Sequence, residues 1–323
     1  MANRALLKIS NLEAGYKVYE GYLAVLDGMN LEIVEGERVG LVGEAGCGKT
    51  TAMKCLLRIL PIPPGRIIGG QILFRGQDVL KMTQRQLGRL RGRGVSMIFQ
   101  DPTAALNPVF TVGDQLAAVI RYGSREVLDE KEIQQRAVKA LKEVQLPDPE
   151  RILSNYPVQL SGGMRQRICI AMALATEPEL LVADEPTTSL DVTIQDQVLR
   201  LLHALVEKHK TSVIFITHSL GVVREMADRV YVMYAGTIVE EAPTAELFAQ
   251  PLHPYTQGLL RAIPKLTGEG VFEGVPGRLP SYLNPPPGCR FRLRCQKAKA
   301  RCDQEKPRLV EVGERHRVAC FVD

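Results

Sequence analysis

The segment GEAGCGKTT, Gly43–Thr51, has the spacing G-x-x-x-x-G-K-[ST]. Glycines let consecutive backbone N–H groups curl into a concave cradle for phosphate oxygens, which a Cβ would obstruct. A strand precedes the segment: Val39, Leu41 and Val42 follow a turn at Glu35-Gly36. A helix is expected after it, because Ala52, Met53, Leu56, Leu57 and Leu60 share one stripe over Thr51–Leu60. Pro61, Pro63, Pro64 and Gly65 end that helix. The positive end of its dipole faces the same anion. Lys49 then serves the β- and γ-phosphates, and the Thr50 hydroxyl serves Mg²⁺. The bland alternative, a glycine turn with a solvated lysine, explains neither flank. Cys47 contributes its backbone, and its thiol needs no role.

Residues 5 to 42 as a whole alternate and turn like β-structure, with Leu6, Leu7 and Ile9, then Leu31, Ile33 and Val34, as the apolar positions, and further strands read at Gly70–Phe74 and Val95–Phe99. Thr111 to about Gln145 is helical and charged, closed by Pro147 and Pro149. A helix over Leu160–Thr176 leads to a strand at Leu180–Ala183, a helix near Val192–Lys208 and a strand at Val213–Ile216. A hairpin follows, with Val230–Tyr234 and Thr237–Val239 meeting at Ala235-Gly236. Apolar strands alternating with helices imply an α/β core with a largely parallel sheet, buried on both faces.

Two of these strands end in polar groups. LLVADEP, Leu180–Pro186, delivers Asp184 to a strand end, where it can anchor Mg²⁺. Glu185, one residue on, can accept a hydrogen bond from an attacking water. Alone, Asp-Glu after an apolar strand is usually a strand meeting solvent; with a phosphate loop earlier in the chain, the catalytic reading prevails. SVIFITHSL, Ser212–Leu220, ends at His218. A lone histidine there is more often a cap, but beside phosphate chemistry it becomes a γ-phosphate contact.

The composition is that of a globular protein: 45% hydrophobic and 24% charged residues, with a net charge of +5. The length of 323 residues suggests two domains, or a core with an appendage. The opening MANRALLKIS offers no apolar stretch for a signal peptide, and no run reaches the roughly 20 apolar residues of a membrane span. A secreted or membrane-spanning protein is therefore not expected. Ten of the 41 basic and five of the 36 acidic residues lie from Cys289 onward, which leaves the preceding chain neutral. The Pro-rich stretch PSYLNPPPG and a break near Pro264 set this tail apart.

LSGGMRQR, Leu160–Arg167, makes a second anion cradle, with Ser161, Gly162 and Gly163 at a helix start. Two phosphate sites in one chain make sense if two chains face each other. In motif order the chain resembles ATP-binding-cassette (ABC) ATPases. GEAGCGKTT is similar to Walker A, Gln100 in MIFQDP to the Q-loop, LSGGMRQR to the signature and LLVADEP to Walker B. Ser189-Leu190-Asp191 is similar to the D-loop, His218 to the switch histidine and Tyr16 to the adenine-stacking aromatic. The resemblance covers residues 5 to about 245. It implies a P-loop NTPase core of the ABC type over 1–250, with an antiparallel β subdomain and an α-helical subdomain at about 101–160. A small cysteine-bearing lobe would occupy 251–323.

The resemblance also implies function. Gly43, Glu44, Ala45, Gly46, Cys47, Gly48, Lys49, Thr50, Thr51, Tyr16 and Gln100 would contact ATP in one chain. Ser161, Gly162, Gly163 and Asp191 would belong to the cassette facing it. Lys49, Glu185 and His218 would be catalytic, and Thr50, Gln100 and Asp184 would hold Mg²⁺. Two such domains would close head to tail on two ATPs, and relaxation after hydrolysis would move membrane subunits through the Q-loop region. Ala45 stands where Ser is commoner and Ser189 where Ala is usual; neither removes a side chain the chemistry requires.

DEPTTSLDVTIQ, MIFQDPTAALNP and HPYTQGLLRAIP are similar to the oligopeptide/dipeptide importer branch. That branch implies two transmembrane permease subunits, a second ATP-binding subunit and an extracytoplasmic solute-binding protein. The chain would then sit at the cytoplasmic face of the membrane, held there by the permeases. A soluble ABC-type ATPase acting on nucleic acid or ribosomes is the alternative. Only 110 residues separate Thr50 from Ser161, with no heptads for a coiled-coil insertion, and the basic tail lacks interleaved aromatics, so no nucleic-acid partner is expected. A non-hydrolysing regulatory module is disfavoured by Glu185 and His218.

Cys289, Cys295, Cys302 and Cys320 are separated by five, six and seventeen residues. Four thiolates can close a zinc site or an iron–sulfur cluster, and this spacing alone does not choose between them. Four buried free cysteines are the third possibility. Some peptide-importer ATPases with a similar tail hold a [4Fe-4S] cluster, which makes a structural cluster the favoured expectation. Arg290, Arg292, Arg294, Lys297, Lys299 and Arg301 would offset its charge. Cys55 and Cys169 read as core residues.

Overall fold

The computed structural model describes residues 5–124, 126–188, 190–263 and 274–321; Ser189 and Pro264 lie outside them. In chain order the elements begin with β1 (Ala5–Val18), β2 (Gly21–Val34), β3 (Arg38–Val42), α1 (Lys49–Leu56), β4 (Gly65–Phe74) and β5 (Gln77–Asp78). Next come α2 (Gln84–Leu90), β6 (Val95–Ile98), α3 (Pro102–Ala105), α4 (Val112–Gly123), α5 (Glu130–Glu143), α6 (Pro149–Ser154) and α7 (Gly162–Leu174). Then follow β7 (Leu180–Asp184), α8 (Val192–His209), β8 (Ser212–Thr217), α9 (Leu220–Met226), β9 (Arg229–Tyr234) and β10 (Thr237–Pro243). The chain ends with α10 (Thr244–Ala249), α11 (Pro254–Arg261), α12 (Arg301–Gln304), β11 (Val310–Gly313) and β12 (His316–Val318).

Two units form. The first takes the chain up to Val34, Arg38–Lys81 and the part from Phe215 onward. The second takes Glu35–Glu37 and Met82–Ile214.

In the first unit, β1 pairs antiparallel with β2 and with β4, giving a small sheet of order β2-β1-β4-β5. β1 runs well past Ile9 because register shifts between Ile9 and Leu12, and again up to Tyr16, absorb breaks in its alternation. β3 pairs parallel with β9, which turns into β10 through Ala235 and Gly236, both at positive φ (42° and 88°). That two-residue turn matches the hairpin expected there. The cysteine tail does not stand apart from this unit, since β12 pairs with β10 (Glu240↔Val318) and β11 pairs with β12.

In the second unit β6 and β7 are parallel, with Ile98 opposite Ala183. Every residue of β7 is buried, as expected for a strand covered on both faces. The region 101–160 contains α3 to α6. Thr111 and Asp114 form a capping box on α4, and Asp129 and Glu132 one on α5. Among the described residues no helix is long and apolar enough to cross a membrane.

α1 differs from the expectation at both ends. It starts at Lys49 and stops at Leu56, four residues before Leu60. Arg58 takes a left-handed φ of 49°, and the Ile59 N–H closes on the Lys54 carbonyl at 3.0 Å, a Schellman-type ending without glycine. The basic residues of the tail also have other duties than offsetting a cluster. Arg290 pairs with Asp27, Arg292 with Asp303, Arg294 with Glu44 and Arg301 with Glu305.

Beside β10, buried Glu240 accepts hydrogen bonds from the Leu252 and His253 N–H groups (2.7 and 3.0 Å) and meets His316 Nε2 at 2.9 Å. His253 Nδ1 accepts from the Tyr255 N–H at 3.0 Å and so caps α11. Burial lowers the His253 pKa to about 3. Between that value and the ordinary range of about 6.5, the unfolded chain binds a proton that the folded one refuses. The histidine's contribution is therefore complete above about pH 6.5 and lost as pH falls towards 3. Denaturant melts should show His253 costing on the order of 3 kcal/mol between pH 7 and pH 4, and His253→Asn should flatten that difference.

Candidate nucleotide site

Strand β3 delivers the chain to Gly43, and the loop closes into α1 at Lys49. Gly43 must lack a side chain because a Cβ there would lie 2.2 Å from the Met233 carbonyl oxygen of β9. Gly48, at φ 109°, occupies the N-cap position of α1 in a left-handed conformation. Lys49 is 5% exposed, and its ammonium donates to the Gly43 and Glu44 carbonyls at 2.7 and 3.0 Å. The cation is thus held at the cradle by the loop's own backbone. Cys47 is fully buried, and burial pushes its thiol pKa up against the opposing pull of Lys49. A protonated, enclosed thiol fits the inert role expected of it. Burial likewise pushes Cys55 and Cys169 up to about 12.

Tyr16, half-buried on β1, meets the Thr51 hydroxyl at 3.3 Å, at the start of α1. That places the expected adenine-stacking ring beside the phosphate loop. His218 lies exposed just after β8, where the Ser219 N–H closes a turn on Thr217 Oγ1. Gly43 to Thr51, Tyr16 and His218 all belong to the first unit.

The second unit holds the remaining motif residues. Because β6 and β7 are parallel neighbours, their C-terminal ends bring Gln100 and Glu185 together. Gln100 Nε2 donates to Glu185 Oε2 at 2.9 Å. Thr188 Oγ1 donates to the same oxygen at 2.9 Å, a contact the sequence reading missed. Glu185 also sits at a left-handed φ of 46°, unusual for a non-glycine and common at functional positions. Asp184 is 2% exposed at the end of β7. Ser161 caps α7, its hydroxyl accepting from the Met164 N–H at 3.3 Å. Gly162 and Gly163 form the first turn, and a Cβ on Gly163 would stand 3.1 Å from Ile194. Arg165 Nη1 donates to Thr103 Oγ1 at 3.3 Å, tying the signature helix to α3, which follows Gln100. Asp191 is exposed at the start of α8.

A glycine-lined loop between strand and helix, a buried strand ending in Asp-Glu, and a serine-capped Gly-Gly turn therefore stand in the order that defines one family. The profile of the ABC transporter family matches residues 26–188, which include the loop, Gln100, the signature and β7. The chain belongs to the ABC transporter family. A second profile, the oligopeptide/dipeptide transporter C-terminal region, matches residues 239–302 of this ABC protein. It is 45% identical over 318 residues to a probable peptide ABC transporter ATP-binding protein of Sinorhizobium fredii, covering 98% of this chain and 94% of that one. It is 43% identical over 319 residues to the oligopeptide transport ATP-binding protein OppD of Bacillus subtilis, covering 98% and 88%. Its fold is similar to the ATP-binding cassette MJ0796 in a dimeric post-hydrolysis state bound to ADP and Pi. That similarity has a TM-score of 0.66 and 28% identity, over 74% of this chain and 98% of that one.

Gly43→Ala would force the loop off the Met233 carbonyl at a cost of roughly 1–3 kcal/mol. The expected result is a lower melting temperature and loss of the thermal shift that ATP gives the wild type.

Proposed function

We propose that this ABC protein hydrolyses ATP to power the import of peptides through a multi-subunit transporter. The observation carrying the ATPase reading is the Glu185 carboxylate, fixed by Gln100 and Thr188 at the end of a buried strand. Such a carboxylate can accept a hydrogen bond from the attacking water and orient it in line with the γ-phosphate. Lys49 meets the charge developing on the transferred phosphoryl oxygens, and His218 contacts the γ-phosphate. Mg²⁺ accompanying ATP would neutralise phosphate charge, held by Thr50, Gln100 and Asp184, an all-oxygen set suited to a hard cation.

The peptide reading is supported by the C-terminal profile over residues 239–302 and by relatives named as peptide and oligopeptide transport proteins. Two cassettes would close head to tail, so that Ser161, Gly162, Gly163 and Asp191 of one chain meet the nucleotide held by the other. Closed and open pairs then differ in affinity for ATP and ADP, and that difference supplies the work. Two permease subunits would receive the motion and hold the protein at the cytoplasmic face of the membrane. An extracytoplasmic binding protein would supply the solute.

We read the four cysteines of the tail as ligands of one four-thiolate group. Gly288 allows the Cys289 N–H to reach the Cys302 carbonyl at 2.8 Å, since a Cβ on Gly288 would stand 2.2 Å from that oxygen. Turns from Cys289 through Arg292 to Cys295, and Lys299 Nζ bonded to the Phe321 carbonyl, draw in the other two segments. Cys289 lies within electrostatic reach of Cys302, Cys320 and Cys295, and Cys295 within reach of Cys320 and Cys302. Among the described residues no three His, Cys, Asp or Glu side chains are set to hold a single metal ion. The group favoured is a [4Fe-4S] cluster, as the resemblance to peptide-importer ATPases with a similar tail implies. The cluster would act as a structural cross-link among the four segments.

Glu185→Gln should keep ATP binding while turnover falls by at least about a hundredfold, with an ATP-bound dimer accumulating on gel filtration. Undiminished phosphate release would reject Glu185 as the base. Anaerobically purified protein should be brown, with iron and sulfide near four each per chain, and Cys→Ser variants should lose the colour. A colourless protein carrying zinc would reject the cluster.

A further inference from the structure

The phosphate loop carries an acidic side chain, Glu44, at a place where ATP brings several negative charges. The carboxy-terminal extension answers that charge. Arg294 Nη1 donates to Glu44 Oε2 at 2.9 Å. The guanidinium is only 5% exposed, and its other donors are anchored locally. Nε donates to the Pro276 carbonyl at 2.6 Å and Nη2 to the Val275 carbonyl at 2.7 Å. Arg294 also lies over the Tyr234 ring, 5.6 Å from its centroid. A planar fork held at three corners presents its charge with little freedom to swing away.

Two tyrosines from the same extension reach the loop. Tyr255 Oη accepts the Glu44 N–H at 2.9 Å, and Tyr282 Oη donates to the Gly46 carbonyl at 2.9 Å. Tyr255 is itself fixed by edge contacts with Tyr234 (4.7 Å between centroids) and a tilted contact with Phe291 (5.4 Å). The outward side of the loop is therefore braced by groups more than 200 positions away in sequence.

We propose that Arg294 is a positioning residue of the nucleotide site: it neutralises Glu44 and, with Tyr255 and Tyr282, braces the phosphate loop, so that ATP affinity depends on the carboxy-terminal extension. This inference rests on the nucleotide-site reading. It assigns Arg294 to the phosphate loop and gives the extension a part in ATP binding. Without the guanidinium, the Glu44 carboxylate opposes the triphosphate directly. Its removal should then restore what the loss of Arg294 takes away.

The test is equilibrium titration of the full-length protein with a fluorescent ATP analogue and Mg²⁺. Arg294→Gln should weaken binding about tenfold, and Arg294→Lys, which keeps the charge, by no more than about threefold. The double variant Glu44→Gln/Arg294→Gln should bind within about threefold of wild type. A merely structural role for Arg294 predicts no such rescue. Wild-type affinity in Arg294→Gln, or a double variant no tighter than the single one, overturns the proposal. Should Arg294→Gln fail to fold, Tyr282→Phe removes a hydroxyl and no charge. It should weaken binding about threefold, and unchanged affinity would overturn the brace. Lys49→Ala separates the two readings. If the wild type binds nucleotide and Lys49→Ala does not, the site stands whatever Arg294 does; if the alanine variant binds as tightly as wild type, the site itself is wrong and the proposal falls with it.

Discussion

A loop that grips phosphate with its backbone has further carbonyls, N–H groups and side chains on its far side, and those need partners of their own. Much of the first unit follows from that demand. The Gly43 position is pressed against the Met233 carbonyl, the Cys47 carbonyl accepts the Gly236 N–H at 2.8 Å, and the Gly46 carbonyl accepts from Tyr282. The parallel pairing of β3 with β9 sets the first two of these contacts, because it brings the β9–β10 turn alongside the loop. A buried polar backbone left without such partners would lose far more than one hydrogen bond contributes.

The second unit solves a related problem with carboxylates. Parallel pairing of β6 and β7 puts two strand ends at one edge, so Gln100 and Glu185 meet although 85 positions separate them. A left-handed Glu185 turns the chain at the strand end and keeps the carboxylate oriented towards Gln100 and Thr188. Helix caps do the same for Ser161, whose hydroxyl is held by the turn it starts.

The motif residues were legible because backbone chemistry dictates their spacing: a cradle needs glycines at set intervals, and a buried strand needs an unbroken apolar run. What escaped the sequence is of another kind. The β-structure of residues 5 to 42 is legible, but the extent and register of β1 are not, since bulges after Ile9 disturb the alternation that marks a strand. The end of α1 is hidden because Leu60 continues the apolar stripe although Arg58 has already turned the backbone away. Thr188 and Arg294 carry no local signal at all. In sequence Arg294 is one of several cations around four cysteines, and only its partner, 250 positions earlier, gives it a distinct duty. Pairing of β12 with β10 is equally invisible, since neither segment encodes the other.

That last pairing has a consequence for any shortened form of the chain. β10 is flanked by β9 on one side and by β12 on the other. Ending translation ahead of residue 310 would strip one flank, baring a row of backbone donors and acceptors open to any passing strand. It would also take His316 from Glu240, an acid with no measurable exposure to water. Degradation products lacking β11 and β12 would thus be sticky and prone to self-association, well before any loss at the ATP-binding motifs.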